Sequence, residues 1–388
     1  MKQVIKKSRA DANGISIEKP IYSLIVDGNN LLKISLVDKT MNSDGKEYGA
    51  VLSFLRILGN ILNKKDFDYC MVCWDGIGSG VLRWQLYKDY KANRGKNYDL
   101  HDPNMSDYQR KLIEFERKVI AHSRGLEKTD GVESDEEAFE REKLIIKSIL
   151  EELCVRQYEY ENTEGDDIIA YYVKNKKPNE KVVIVSSDKD LTQLISDTVI
   201  VYNPRIRDFI TKDNSVEKLG ITHENVVLEK IICGDASDNI KGVKGIGEKT
   251  LLKLFPNIKT NKADLRLIIE RSKEMLNERA QSKRKPLRTL ENIVNGITDG
   301  CQGDSLYEVN EKIIDLSNPL LTEEARKGLD DEFYGIMDTS ERSISNVYGI
   351  VSEYGMSELS DEGKFSRVLS PYSRIMMMEQ KRYRENSN

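Results

Sequence analysis

The sequence predicts an α/β protein in which helices flank a mostly parallel central sheet. Short apolar, β-branched runs alternate with helical patterns through the first half of the chain, which is typical of βαβ units. One run, residues 181–185, is apolar at nearly every position, as expected of a strand buried on both faces. The length of 388 residues exceeds what one hydrophobic core usually supports, so a second, mainly helical part is expected.

The elements follow from these patterns in chain order. Four strands are predicted, at residues 22–26, 69–74, 181–185 and 198–202. Apolar residues at helical spacing predict a helix over 51–62. Residues 106–153 are charged and favour helix, which predicts a helical arm over the sheet, and within it the acidic stretch 127–142 is expected to be a solvated helix face and loop. After residue 203 the chain is expected to be helical.

Composition excludes two classes of protein. The longest apolar runs fall far short of the roughly 20 residues of a membrane helix, and the first residues do not resemble a secretory signal. Five irregularly spaced cysteines indicate reduced thiols. Cys70 and Cys73 form a C-x-x-C pair inside a predicted strand, which favours core packing over a zinc or redox site. We therefore expect a soluble, cytoplasmic protein without a membrane partner.

Acidic residues follow three of the predicted strands within a few positions. Asp27 follows the first strand, Asp75 the second, and Asp188 and Asp190 the third. Because sites in open α/β sheets lie beyond the carboxyl ends of the strands, these side chains are expected to converge.

Two further acidic groups join this set. Glu164, Asp166 and Asp167 precede an apolar helix, where a single acid would satisfy the helix N-terminus. Asp235 and Asp238 are spaced i and i+3, as neighbours on one helical face would be. Several clustered carboxylates repel one another unless cations lie between them, and such oxygen ligands select Mg²⁺ or Mn²⁺. The sequence therefore predicts two Mg²⁺ ions that support phosphodiester hydrolysis. Because none of these motifs contains histidine, metal-bound hydroxide rather than a histidine base is expected to make the nucleophile.

A basic, aromatic segment lies after Asp75. If this segment is helical, Tyr87, Tyr90, Lys91 and Arg94 share one face, which could hold a phosphate and stack a base. The alternative is an exposed amphipathic helix. The net charge of −5 does not exclude nucleic acid, because the basic residues are grouped, here and at 271–288.

A glycine-punctuated segment follows Asp238. Its G-V-K-G-I-G pattern is typical of helix-hairpin-helix DNA binding, in which backbone amides and a helix N-terminus approach phosphates. The residues expected to contact DNA are Lys241, Gly242, Lys244, Gly245, Gly247 and Lys249.

Together these motifs resemble the 5′ nuclease family, which includes flap endonucleases and the 5′-nuclease domains of bacterial DNA polymerases. Within it, the chain is most similar to the ribonuclease H group of T-even-type phages. The matching motifs, in the family's order, are IVDGNN from residue 25, CWDG from 73, YKANR from 90, EGDD from 164, SSDKD from 186 and GDASDN from 234.

The resemblance implies a fold and a site. The fold would be a PIN-like (resolvase-like) domain with a helical arch and a helix-hairpin-helix region that binds K⁺. The implied domains are a leader at 1–20, a core at 21–215 interrupted by the arch at 80–160, the hairpin region at 216–300 and a helical C-terminal part at 301–388. The first metal would be surrounded by Asp27, Asp75, Glu164, Asp166, Asp167 and Asp188, and the second by Asp190, Asp235 and Asp238. Lys91 and Arg94 would contact the scissile phosphate, helped by Arg83.

The implied activity is that of a monomeric 5′-3′ exonuclease and flap endonuclease that also removes RNA primers. Its substrates would be DNA with 5′ flaps or nicks and RNA·DNA hybrids, and its partners a replication clamp or single-strand-binding protein. Two alternatives remain: a non-catalytic scaffold that binds branched DNA, and a phosphatase or phosphotransferase with an acidic magnesium site. The hairpin has no role in the latter.

Overall fold

The computed structural model describes residues 19–42, 45–92, 135–298 and 305–387. At its centre is a six-stranded sheet of order β3-β2-β1-β4-β5-β6. The strands are β1 (Ile21–Asp27), β2 (Tyr69–Cys73), β3 (Arg156–Tyr158), β4 (Glu180–Val185), β5 (Val199–Asn203) and β6 (Asp208–Ile210). All neighbouring pairs are parallel except β5 and β6, so the predicted fold class is confirmed.

The four predicted strands correspond to β1, β2, β4 and β5. β3 and β6 were not predicted, and β6 contradicts the expectation that the chain is helical after residue 203. Both strands have only three residues, which is too short for hydrophobic periodicity to reveal.

Helices cover both faces of the sheet. The first five are α1 (Gly28–Ser35), α2 (Gly49–Leu62), α3 (Val81–Leu86), α4 (Asp135–Glu152) and α5 (Gly165–Asn175). One buried cluster includes side chains of α2 and α4, and a second, on the opposite face, includes side chains of α5. Cys70 belongs to the first cluster and Cys73 to the second, so the two thiols are buried on opposite faces. Core packing of this pair is confirmed.

The hairpin region forms a third buried cluster. Its helices are α6 (Ser215–Leu219), α7 (Val226–Cys233), α8 (Glu248–Leu254), α9 (Leu265–Gln281) and α10 (Arg288–Asn295). Between α7 and α8, a two-stranded antiparallel ladder is formed by β7 (Gly234–Asp235) and β8 (Ile240–Lys241).

The C-terminal helices pack back onto the central sheet. They are α11 (Ser305–Ile314), α12 (Glu323–Glu332), α13 (Ile344–Glu353), α14 (Glu362–Leu369) and α15 (Ser373–Asn386). Leu329 and Phe333 join the cluster on one face, while Val347 and Tyr372 join the cluster on the other. A buried ion pair between Arg156 of β3 and Glu379 of α15, 2.8 Å from Nη2 to Oε2, fixes the last helix to the sheet.

Most of the predicted arm, residues 93–134, lies outside the described residues. Its last part is α4, which packs against the sheet. The expectation of a solvated acidic face is wrong for Glu142, which is 1% exposed and accepts a hydrogen bond from the backbone N–H of Val51 at 3.1 Å. The N-cap residue of α2, Tyr48, makes no side-chain hydrogen bond to the first turn of the helix. Glu142 supplies an acceptor for a backbone N–H of that turn instead. Among the described helices, none is long and apolar enough to cross a membrane.

Candidate active site

The acids at the strand ends line one cavity. β1 and β4 are neighbours at the point where the strand order reverses, which is where open α/β sheets form a crevice. Asp27 ends β1, and Ser186 and Ser187 separate β4 from Asp188. The acidic cavity, as we call it, is lined by the carboxylates Asp27, Asp75, Glu164, Asp166, Asp188, Asp190 and Asp238.

Hydrogen bonds from neighbouring elements orient two of these carboxylates. Asp27 accepts from the Asn30 N–H at 3.0 Å and from the Ser186 hydroxyl at 2.9 Å. Asp75 accepts from the Gly165 N–H at 2.9 Å and from the Asn29 amide at 2.8 Å. These bonds join Asp27 to the start of α1, and Asp75 to the starts of α1 and α5. Both carboxylates therefore hold defined positions.

Burial and mutual repulsion raise the pKa of several acids in the cavity. The pKa of Asp27 rises to about 7 through burial, with further contributions from the nearby carboxylates of Asp75 and Asp188. The pKa of Asp166 lies well above its usual range, for the same reasons. Burial likewise raises the pKa of Asp190 to about 7. A divalent cation among these groups would favour their ionised forms.

The donor set fits a hard divalent cation. Asp166 lines the cavity and has no hydrogen-bond or ion-pair partner among the residues that the structure describes. Within that part of the chain, no three acidic, histidine or cysteine side chains converge on a single point as direct ligands. Mg²⁺ usually keeps several of its waters and binds through one or two carboxylates, so an open acidic set of this kind suits it.

Glu164 and Lys91 form an ion pair in the lining of the cavity. The Lys91 ammonium lies 2.6 Å from Glu164 Oε1, and the Tyr90 hydroxyl donates to the same carboxylate at 3.1 Å. Burial alone would raise the pKa of Glu164, but Lys91 and Arg83 outweigh burial and hold that pKa at about 2. Glu164 is therefore an ionised, cation-paired acid in this structure.

The helix considered for residues 87–94 is absent from residues 87–92, the part of it that the structure describes. α3 ends at Leu86, Tyr87 is extended, and Lys91 has a left-handed φ of 56°. Tyr90 is 4% exposed and packs in the third cluster, so its ring is not available to stack a base. This turn brings Lys91 to the cavity. The backbone N–H of Lys91 donates to the carbonyl of Asp238 at 2.8 Å. Arg94 lies outside the described residues.

Arg83 lines the acidic cavity, where its Nη1 lies 2.9 Å from Glu164 Oε2, and it also forms a buried pair with Asp167. Arg83 Nη2 lies 3.1 Å from Asp167 Oδ1, and Nη1 contacts the other oxygen of the same carboxylate. Asp167 is fully buried, accepts a further bond from the Leu320 N–H and does not line the cavity. Arg83 also donates to the carbonyl of Ile313. The pair thus joins α3 and α5 to the C-terminal part. Asp167 does not occupy the position expected of a metal ligand in the cavity, whereas the expected contact of Arg83 with DNA stays a prediction.

Asp190 and Asp235, two of the acids expected at the second metal, share a cation that the sequence did not indicate. Lys230 of α7 contacts Asp190 and lies 2.5 Å from Asp235 Oδ2. The expected helical face is wrong, because Asp235 lies in β7 and Asp238 in the turn before β8. Asp235 does not line the cavity, whereas Asp238 does. Lys230 lies five residues before Asp235 on an apolar helix, and no local motif distinguishes it.

The predicted hairpin is present between α7 and α8. Gly245 has a φ of +79°, and a Cβ on Gly242 would come within 2.1 Å of the Cys233 carbonyl carbon. Gly242 therefore serves close backbone packing, while Gly247 has open space around it at the start of α8. Lys241, Lys244 and Lys249 are exposed on or beside this turn. The side chains of Asn292 and Thr298 donate to the carbonyls of Lys244 and Gly242, both at 2.8 Å.

The sheet order and the acidic cavity together define a resolvase-like α/β protein. A family model described as the 5′-3′ exonuclease N-terminal resolvase-like domain matches residues 22–220. The chain therefore belongs to the 5′-3′ exonuclease family.

Curated relatives agree with this assignment. DNA polymerase I of Bacillus subtilis is 29% identical over 283 residues, which cover 71% of this chain and 28% of that protein. The 5′-3′ exonuclease of Aquifex aeolicus is 26% identical over 284 residues, covering 72% of this chain and 83% of the relative. The chain thus spans about a quarter of the polymerase and most of the free-standing exonuclease.

Solved structures share the fold. A bacteriophage T5 flap endonuclease in complex with DNA and metal ions has a TM-score of 0.52 at 18% identity, over 92% of this chain and 99% of that one. The T5 5′-exonuclease with bound zinc ions has a TM-score of 0.50 at 18% identity, with the same coverage.

Proposed function

We propose that this protein is a structure-specific 5′ nuclease that hydrolyses phosphodiester bonds near 5′ ends. The observation that supports the proposal most strongly is the acidic cavity, in which carboxylates from β1, the β2 and β4 ends and α5 face one another. The relatives named as 5′-3′ exonucleases support the same direction of cleavage.

Two Mg²⁺ ions, for which Mn²⁺ would substitute, would supply water activation and charge stabilisation at the phosphodiester. Asp27, Asp75, Asp166 and Asp188 would surround the first ion and bind it in part through its waters, with Glu164 beside them. Asp190, Asp235 and Asp238 would contribute to the second ion. The hydrogen bonds to Asp27 and Asp75 keep these carboxylates in place before any ion binds.

Lys91 would position the scissile phosphate. Its ammonium lies in the cavity wall and is held by Glu164 in the structure, so an entering phosphate would compete with Glu164 for it. Arg94 is proposed for the same contact on the basis of the family motif alone.

The hairpin would hold the duplex next to the cut. Lys241, Lys244 and Lys249 would contact backbone phosphates, and K⁺ bound at the hairpin carbonyls would strengthen that contact.

The substrates proposed are DNA with 5′ flaps or nicks and RNA·DNA hybrids, including RNA primers during replication. We further propose that the chain acts as a monomer in the cytoplasm, with a replication clamp or single-strand-binding protein as partner, and that its domains follow the boundaries given above.

The proposal is tested by cleavage of a 5′-labelled flap substrate in Mg²⁺. Asp75→Asn and Asp188→Asn keep the shape of each side chain and remove its charge, so each should slow single-turnover cleavage by about a hundredfold or more. Asp213→Asn, at an exposed acid outside the cavity, is the matched control and should cut like the wild type. Equal rates for all four proteins would refute the proposal. Normal flap binding without any cleavage by the wild type would favour the non-catalytic alternative.

A further inference from the structure

A basic turn joins α9 to α10 and has no part in the acidic cavity. We define the basic turn as Lys283, Arg284, Lys285 and Arg288, all of which are exposed. No acid occurs between Glu278 and Glu291, so the turn is a continuous positive surface.

The cations of the basic turn differ from two arginines earlier in α9, Arg266 and Arg271, in having no acidic partner among the described residues. Arg266 pairs with Glu270 at 3.0 Å, and Arg271 pairs with Glu274 at 2.8 Å. Within the part of the chain that the structure describes, the four cations of the basic turn form no ion pair. Their charge is therefore not neutralised internally and is available to an external anion.

The basic turn has a defined backbone. The Arg284 N–H donates to the Arg279 carbonyl at 2.8 Å, and the Arg279 guanidinium donates to the Lys285 carbonyl at 2.9 Å. Lys283 adopts a left-handed φ of 54°. These contacts order the backbone from which the exposed cations project, which lowers the ordering cost of binding.

The basic turn is continuous with the hairpin. Thr289 directly follows Arg288, and its Cγ2 lies 3.8 Å from the position that a Cβ on Gly245 would take. One turn later in α10, Asn292 donates to the carbonyl of Lys244. The helix that begins in the basic turn therefore also supports the hairpin.

We propose that the basic turn binds the phosphodiester backbone of duplex DNA, as a second contact beside the hairpin. The inference rests on the proposed function only in taking the hairpin as a duplex contact. A row of unpaired lysine and arginine side chains suits phosphates, which carry no sequence information, so this contact would extend the grip along the duplex without selecting a sequence.

The test compares two variants that each remove two arginine charges from the full-length protein. Arg284→Gln/Arg288→Gln removes unpaired cations of the basic turn, whereas Arg266→Gln/Arg271→Gln removes cations that are already paired. Binding to a labelled blunt duplex is measured by fluorescence anisotropy in EDTA, over a series of salt concentrations. Thermal melting of both variants should match the wild type, because all four side chains are exposed.

The basic-turn variant is expected to bind the duplex about ten- to a hundredfold more weakly. Its slope of log K against log salt concentration should be shallower by about 2, because each lost phosphate contact reduces the magnitude of that slope by about 0.9. The control variant should stay within about twofold of the wild type, with the same slope. Equal slopes for the two variants would overturn the inference, as would absence of duplex binding by the wild type or an equal loss with a single strand of the same length. This binding assay does not depend on cleavage. A wild type that fails to cut the flap substrate would refute the proposed function, whereas the comparison of binding would still decide the role of the basic turn.

Discussion

The acids of the site differ in what holds each of them. Asp27 and Asp75 accept hydrogen bonds from neutral groups, whereas Glu164 and Asp235 are paired with the ammonium groups of Lys91 and Lys230. The sequence motifs included every acid that lines the cavity. Most of these acids stand shortly after a strand or at a helix start, whereas Asp238 lies in the turn before β8. The motifs could not separate Asp167 from Asp166, since neighbouring residues of one helical turn point in different directions.

Asp167→Asn should destabilise the protein without weakening divalent-ion binding. The change leaves the buried Arg83 guanidinium with Glu164 as its remaining acidic partner, so the loss should be at most the roughly 3–5 kcal/mol of a fully broken buried pair. Chemical denaturation gives the free energy of unfolding, and calorimetric titration with Ca²⁺ gives the ion affinity. Asp188→Asn serves as the comparison and should show the reverse pattern. Loss of ion affinity with unchanged stability would mean that Asp167 is a ligand after all.

Lys230→Met should increase the stabilisation that Mg²⁺ provides. The substitution removes the ammonium between Asp190 and Asp235 and leaves two close carboxylates whose repulsion a bound Mg²⁺ would relieve. The ion-free variant should melt at a lower temperature than the wild type at neutral pH, and the rise in melting temperature with Mg²⁺ should be larger. Lys230→Arg keeps the charge and should resemble the wild type. An identical Mg²⁺-induced rise in all three proteins would rule out competition between Lys230 and the ion.

Among the secondary-structure elements, those of more than four residues with strong hydrophobic patterns were predictable, and those defined by long-range contacts were not. β1, β2, β4 and β5 carry continuous apolar runs. The turn after α3 instead depends on distant partners, because Lys91 donates to Asp238 and Tyr90 is buried against Glu164. A helical spacing of tyrosines and cations in the sequence gave no indication of those contacts.

The contact between α4 and α2 predicts a pH dependence of stability. Burial raises the pKa of Glu142 from 4.5 to about 7 in the folded protein. Between these two values the unfolded chain releases a proton that the folded chain keeps, so this group's contribution to stability is lost as the pH rises.

Glu142→Gln removes this titration and keeps an oxygen that can accept from Val51. The free energy of unfolding of the variant, relative to the wild type, should increase by up to about 3 kcal/mol between pH 4.5 and 7 and level off above that. Urea unfolding at a series of pH values measures this difference. A difference that stays flat across this range would show that Glu142 is ionised when folded.

At the scale of the whole molecule, the C-terminal helices complete the fold of the central sheet. They cover both faces, and Arg156 and Glu379 join β3 to α15 through a buried pair. The sequence predicted a helical C-terminal part but not this packing, because the contacts join residues more than 200 positions apart.

Glu379→Gln should lower the free energy of unfolding by about 3 kcal/mol, since it leaves Arg156 buried beside a neutral side chain. Glu385→Gln on the same helix is the control and should change stability by less than about 0.5 kcal/mol, because Glu385 is exposed. Equal stability of the two variants would indicate that the Arg156–Glu379 pair does not stabilise the packing of α15 on the sheet.

The central claim is that the acidic cavity and the hairpin together act at 5′ ends with the help of divalent ions. The most direct measurement uses one DNA substrate that carries a 5′ flap and a 3′ flap, each with a different label, in Mg²⁺ and in EDTA. We predict release of the 5′ flap in Mg²⁺, no release of the 3′ flap, and no cleavage in EDTA. Cleavage of both flaps at similar rates, or cleavage that persists in EDTA, would contradict this account.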